Sequence, residues 1–125
     1  MKIFIHGEIL NLIPIFKAYI KDGVLIFNEE GDISLTVDTG FNGGITLPQN
    51  ILDELNLEFI GYDTFTIGTG DIIELPMFLG NVLIKDKILE TWFIPGDSLV
   101  GTEFLYAVGK ILRLDFEKST VKLSG

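Results

Sequence analysis

The chain has 125 residues and a net charge of −9, from 18 acidic and 9 basic side chains. That length suits one domain with one core, and the acidic charge argues against nucleic acid or an anionic membrane as a partner. Cysteine is absent, which excludes disulfides and thiolate chemistry. No apolar run approaches the roughly 18 residues of a membrane span, and polar residues interrupt MKIFIHGEIL before a secretory signal forms. We therefore expect a single cytoplasmic domain over residues 1–125.

Short β-rich runs separated by turn residues dominate the sequence. IPIFKAYI and VLIF flank the turn-like KDG, and ISLTV, FTI, IIELPMFLG, NVLI, ILETWFI, ILRLDF and TVKL follow. In ILRLDF, Leu112, Leu114 and Phe116 fall on one face, the period-two pattern of a half-buried strand. EKST is short and polar enough to join this run to TVKL in a closing hairpin.

Two segments have a helical pattern. PQNILDELNL places Ile51, Leu52 and Leu55 on one side. TEFLYAVG is a weaker pattern, with Thr102 as a possible N-cap and Gly109 as a possible stop. The sequence therefore predicts a mainly β domain, a small closed barrel or sandwich, with one or two short helices.

The stretch LTVDTGFNGGITLP puts Asp38 directly after an apolar run, followed by Thr39 and Gly40. At a strand end a carboxylate can emerge from an apolar wall. Gly40, Gly43 and Gly44 allow the backbone to turn tightly or to approach another chain closely. Taken alone, the triplet is more typical of a turn, because Asp and Gly are common turn formers.

The order of the segments resembles the retropepsin-like (clan AA) aspartic peptidases, specifically the small single-domain bacterial and archaeal members. The resemblance covers nearly the whole chain: a hairpin (IPIFKAYIKDGVLIF), the Asp-Thr-Gly run (ISLTVDTGFNGGITLP), a short helix (QNILDELNL) and a Gly-bearing hairpin, the flap (FTIGTGDIIELP). A second signature follows, the apolar pair Leu99 and Val100 before Gly101. The letters FNG depart from the small Ser or Ala-type residues often found after the triplet in viral and pepsin-like branches. Substrate details of those branches are therefore not carried over.

The resemblance implies a small closed β-barrel, the retropepsin-like acid protease fold, and an aspartic endopeptidase activity without metal or cofactor. Two carboxylates that share one proton supply the general base and the general acid. The chain has one Asp-Thr-Gly, because the Asp-Thr pair at Asp63 is followed by Phe. We therefore expect a homodimer in which two copies of Asp38 meet on the two-fold axis. The resemblance implies that Thr39 forms a hydrogen bond across the axis that braces the two loops. It also implies that Gly40 lets the backbone approach the two Asp38 carboxylates.

A peptide or protein substrate would bind between the triplet and the flap. The flap candidate spans residues 65–75, and its glycine-rich tip suits a mobile hairpin that covers an extended substrate. The predicted substrate-binding residues are Phe41, Gly43, Ile67, Gly68, Thr69 and Gly70, with Ile45, Ile73 and Val100 as further apolar candidates. An ordinary tight turn is the alternative for the tip. A peptide-binding or dimerising module with little or no catalysis is the alternative for the whole domain.

Two single residues are assigned structural roles. Trp92 lies in the apolar run ILETWFI and is expected in the core or at an interface rather than as a platform for a ligand. His6 is the single histidine and is expected to serve surface or packing.

Overall fold

The computed structural model describes residues 2–125, and within them strands account for 58% of the chain. In chain order the elements are β1 (Ile3–Leu10), β2 (Ile13–Lys21), β3 (Val24–Phe27), β4 (Ile33–Val37), β5 (Ile45–Leu47), α1 (Gln49–Leu52), β6 (Glu58–Thr66), β7 (Ile72–Ile84), β8 (Lys87–Pro95), β9 (Leu99–Val100), α2 (Thr102–Val108), β10 (Ile111–Asp115) and β11 (Thr120–Ser124). The prediction of a mainly β chain with short helices is confirmed.

The strands belong to one sheet, and seven of them form a closed ring of pairings that begins and ends at β2. β2, β3, β7, β8, β5, β9 and β4 pair in that order, and β4 then pairs with β2. β2 therefore carries strands on both edges, as at Ile15, which is paired with Glu8 of β1 and Thr36 of β4. β11 and β10 extend the sheet beyond β1, and β6 is attached through β7.

Local sequence accounts for the hairpin of β2 and β3. Asp22 and Gly23, in the predicted KDG turn, have φ angles of 53° and 76°. A two-residue hairpin turn of the type that matches strand twist needs two such left-handed residues, and Asp and Gly adopt them readily. β2 and β3 then pair from Lys21 and Val24 outward.

The hydrophobic core includes buried side chains of the paired strands and of α2. Phe16, Phe93 and Phe104 are completely buried, and each such side chain contributes about 1.5–3 kcal/mol relative to an exposed one. Phe104 of α2 stacks on Phe27 of β3, with ring centroids 5.1 Å apart. This contact fixes α2 on the sheet.

The two helices differ from the prediction in length and in capping. α1 is a single turn that ends at Leu52, with Asp53 as its C-cap, so the buried Leu55 lies beyond it. α2 is the longer helix; its N-cap is Gly101, not Thr102, because the Thr102 hydroxyl donates to the carbonyl oxygen of Phe41 instead of capping the helix. Gly109 ends α2 as predicted. No helix in the described chain has the length and apolar character that crossing a membrane requires.

The C-terminal hairpin is confirmed, but its burial is not as predicted. Leu112 and Leu114 pair with the buried Leu123 and Val121, so the predicted face is correct. Leu114 is nevertheless 42% exposed and Phe116 is 56% exposed. The prediction that this face of β10 is buried was wrong at these two residues, because β10 is the last strand at one edge of the sheet and extends past the core.

Candidate active site

Asp38 is the first residue after β4, and β9 lies directly beside it. In the parallel pairing of β4 with β9, Thr36 is opposite Leu99 and Val37 is opposite Val100. The main-chain N–H of Asp38 donates to the carbonyl oxygen of Val100 over 3.0 Å. Two sequence signatures that are far apart in the chain are therefore adjacent in the fold.

The triplet itself forms a turn that opens toward solvent. The Gly40 N–H donates to Asp38 Oδ1 over 2.9 Å, and the Phe41 N–H donates to the Asp38 carbonyl oxygen over 3.2 Å. Asp38 is half-buried, whereas Thr39 and Gly40 are exposed. A side-chain bond of this kind is common in turns. The loop of one chain is consequently compatible with both interpretations of the triplet.

The loop after the triplet is held by the start of α2. The N–H groups of Gly101 and Thr102 donate to the carbonyl oxygens of Gly44 and Phe41, each over 2.8 Å. A Cβ atom on Gly101 would lie 2.3 Å from the carbonyl oxygen of Gly43 and 2.7 Å from that of Phe41. Glycine at this position is therefore required by the close approach of two main chains.

An open groove of about 680 Å³ lies next to this loop. Residues 40–45 form one wall, and the hairpin of β6 and β7 forms the other. The predicted residues Gly40, Phe41, Gly43 and Ile45 line the groove. Asp38 and Thr39 precede this wall in the chain but are not part of the lining.

The predicted flap is a hairpin, and its tip does not line the groove. At the tip, the Ile67 N–H donates to Asp71 O over 3.0 Å and the Gly70 N–H donates to Ile67 O over 2.8 Å. A Cβ atom on Gly68 or Gly70 would meet no atom within 4 Å. Within one chain, the four predicted tip residues Ile67, Gly68, Thr69 and Gly70 do not line the groove, and neither do Ile73 and Val100.

The body of the hairpin, rather than its tip, reaches the groove. Asp63, Phe65 and Thr66 of β6 and Met77 of β7 line it. Among the described strands β6 pairs with β7 alone, so the hairpin extends from the ring with most of β6 exposed. Apolar side chains are exposed there, with Tyr62 65% accessible.

Several groove residues were not identified from the sequence. Trp92 and Ile94 line the groove from β8. Trp92 was expected in the core or at an interface, and its place in the groove was not predicted. The two-residue spacing of Trp92 and Ile94 puts both on one face of β8, a signal that was available in the sequence. Glu103 of α2 also lines the groove, and it carried no motif. Over residues 2–125, no group of three or more His, Asp or Glu side chains is arranged to hold a metal ion.

Comparison with known proteins identifies no family. No family model matches the chain, and no solved structure matches it. The chain is similar to an uncharacterized protein of Archaeoglobus fulgidus, with 26% identity over 112 residues, which cover 82% of this chain and 84% of that protein. The similarity extends over most of both chains and carries no information on activity.

Proposed function

We propose that this chain is an aspartic endopeptidase that acts as a homodimer, with the Asp38 carboxylates of two subunits sharing a proton across the two-fold axis. The observation that carries the proposal is the pairing of β4 with β9. Asp38 ends β4, its N–H bonds to Val100, and Gly101 follows at the start of α2. A strand-end carboxylate braced by the second signature is the arrangement that the retropepsin-like resemblance implies.

The strand order supports the fold part of the proposal. We interpret the ring of pairings through β2, β3, β7, β8, β5, β9 and β4 as the small closed β-barrel that the resemblance implies. We assign the β6–β7 hairpin as the flap in this proposal, since it follows α1, borders the groove and carries glycines at its tip. A hairpin that is packed on the body only at its base is free to open and close over a substrate.

Three features favour a second copy of the chain as the missing half of the site. The sequence has one Asp-Thr-Gly, whereas the chemistry needs two carboxylates. Thr39 and Gly40 are exposed at the surface. In an isologous dimer, these residues would face the same residues of the second subunit across the two-fold axis. Exposed apolar residues of the hairpin, among them Tyr62 and Ile72, add surface that a partner could cover.

The chemistry follows from two carboxylates in contact. Two like charges at that distance disfavour double ionisation, so one carboxylate keeps a proton while the other accepts one from water. The water attacks the peptide carbonyl carbon while the protonated carboxyl group donates a hydrogen bond to the carbonyl oxygen. The C–N bond then breaks as the amine nitrogen takes the proton that the other carboxyl group accepted from water. An extended peptide in the groove would run along β6, whose main chain could hold it as an added strand.

The alternative function is peptide binding or dimerisation without turnover. One observation favours it: in a single chain Asp38 does not line the groove, and its Oδ1 already accepts the Gly40 N–H. A groove with an apolar lining binds a peptide whether or not a dyad assembles beside it.

The substitution Asp38→Asn tests the proposal. It keeps the shape of the side chain and removes the ionisable group, so hydrolysis of an unfolded protein substrate should be lost. Dimerisation, measured by analytical ultracentrifugation, should be kept. Asp86→Asn, in the exposed turn between β7 and β8, is the matched control and should retain activity. Hydrolysis that survives Asp38→Asn rules out the dyad, and a wild-type dimer that binds peptide without cleaving it supports the alternative.

A further inference from the structure

The charged side chains that line the groove are both acidic. Asp63 approaches from β6, where it is paired with Leu75, and Glu103 approaches from the first turn of α2. Glu103 directly follows Thr102, whose N–H is bonded to Phe41 O, so its main chain is fixed relative to the loop that carries the triplet. The two carboxylates therefore belong to different walls of the groove.

Neither carboxylate is neutralised by a basic side chain of the described chain. In the described residues, an ion pair joins Lys17 Nζ to Glu8 Oε1 over 2.9 Å, and neither residue lines the groove. Asp63 Oδ1 accepts the N–H of Thr64 over 2.8 Å, which leaves its other oxygen available to a ligand. Both residues are exposed, and both can therefore meet a ligand that enters the groove.

The remainder of the lining is largely apolar and aromatic, with Phe41, Phe65, Met77 and Trp92 as the large side chains. A side chain that suits this surface has an apolar stem and a cationic end. Lysine and arginine have that form, because their methylene stems pack on apolar surface while the charged group remains at a polar position. An aromatic face such as that of Trp92 adds attraction for a cation.

We propose that the groove selects peptides that carry a lysine or arginine side chain, with the stem against the apolar lining and the cationic group between Asp63 and Glu103. This inference rests on the proposed function for the peptide nature of the ligand and adds its charge class. An acidic peptide side chain would meet two carboxylates in the same place and would be rejected.

Trp92 provides a direct readout of groove occupancy, because it is the single tryptophan of the chain. The probes are blocked peptides of Val, Leu and Phe in which one position in turn carries Lys, Gln or Glu. Binding is measured from Trp92 fluorescence in the Asp38→Asn protein, so that no peptide is cut during the titration. The readout is thereby separate from catalysis.

We expect the best Lys peptide to bind about two- to fivefold more tightly than its Gln counterpart, the size typical of ion pairs between solvent-exposed groups. The Glu counterpart should bind more weakly still. The preference should decrease when ionic strength rises from about 0.1 M to about 1 M, since the screening length shortens from about 10 Å to about 3 Å.

Substitutions in the groove complete the test. Asp63→Asn combined with Glu103→Gln should remove the preference for Lys, and Asp63→Lys combined with Glu103→Lys should reverse it toward Glu. Glu117→Gln, in the exposed turn between β10 and β11, changes the net charge without touching the groove and should keep the preference. Far-ultraviolet circular dichroism checks that each variant is folded.

Equal binding of the Lys, Gln and Glu peptides would overturn the proposal, as would a Lys preference that survives the double neutralisation. Absence of any fluorescence change would overturn it too. These results are independent of the dyad: peptidase activity that is lost in Asp38→Asn upholds the proposed function even when no charge preference is found. Conversely, a Lys preference in a protein without turnover upholds the inference and rejects the peptidase.

Discussion

Asp38 donates its main-chain N–H to the carbonyl oxygen of Val100 over 3.0 Å. The residue after Val100 is Gly101, whose own N–H donates to Gly44 O at the far end of the loop. The junction of β9 and α2 thus holds the loop that follows β4 at both ends. A change at this junction should be transmitted to Asp38 even when it leaves every side chain of the triplet in place.

Gly101→Ala tests that coupling. The new Cβ would be 2.3 Å from Gly43 O, so two main chains must separate, at a cost of about 1–3 kcal/mol in unfolding free energy. We expect hydrolysis to fall further than stability alone explains, because the separation displaces Asp38. Urea denaturation and peptidase rates measure the two effects. Gly68→Ala, where a Cβ meets no atom within 4 Å, is the control for stability, and an equally stable Gly101→Ala protein would contradict the expected clash.

The strands and turns that could be predicted are those with a recognisable pattern in a few consecutive residues. KDG forms the left-handed turn that its composition indicates, and the runs on either side are β2 and β3. The strand end before Asp38 was predicted because an apolar run stops there, and β4 does end at Val37. The catalytic role proposed for Asp38 came from the resemblance, since the local pattern alone is more typical of a turn. A local pattern could not find β9, since Leu99 and Val100 are too few to show a period. β1 was missed because His6, Gly7 and Glu8 interrupt its apolar pattern.

The groove could be predicted only in part. Gly40 was chosen as part of the triplet, and Phe41 and Gly43 because they follow it; all three line the groove. Trp92 and Glu103 reach the same space from β8 and α2, and no local pattern links residues of such different origin. Their convergence depends on the pairing of β5 with β8 and β9, which is a property of the whole sheet.

Gly70 at the flap tip provides a second prediction. Its φ of +88° is unfavourable for a residue with a branched side chain. Gly70→Val should therefore alter the tip and lower kcat of the proposed peptidase, while Gly70→Asn should be better tolerated because Asn adopts positive φ more readily. Steady-state kinetics with one peptide measures the difference. Indistinguishable kcat values for both variants and the wild type would show that the tip takes no part in turnover.

The stacking of Phe104 on Phe27 leads to a third prediction. Phe104 is completely buried and holds α2 on the sheet, so Phe104→Ala should reduce the free energy of unfolding by about 3–5 kcal/mol. Tyr106→Ala is the control on the same helix: Tyr106 is 74% exposed, and the expected change is within about 0.5 kcal/mol. Guanidinium denaturation of both proteins gives the comparison. Similar losses for the two variants would contradict the burial of one face of α2.

Mixing wild-type subunits with Asp38→Asn subunits should inhibit the wild type, because the proposed dyad takes one aspartate from each chain. With equal amounts and free exchange, about one quarter of the dimers keep two Asp38 residues, so the rate per wild-type subunit should fall to about half. The rate is measured after exchange at a constant amount of wild type. Added Asp86→Asn should instead increase the rate, because that variant brings its own Asp38. A rate that is unaffected by added Asp38→Asn would mean that each subunit works alone.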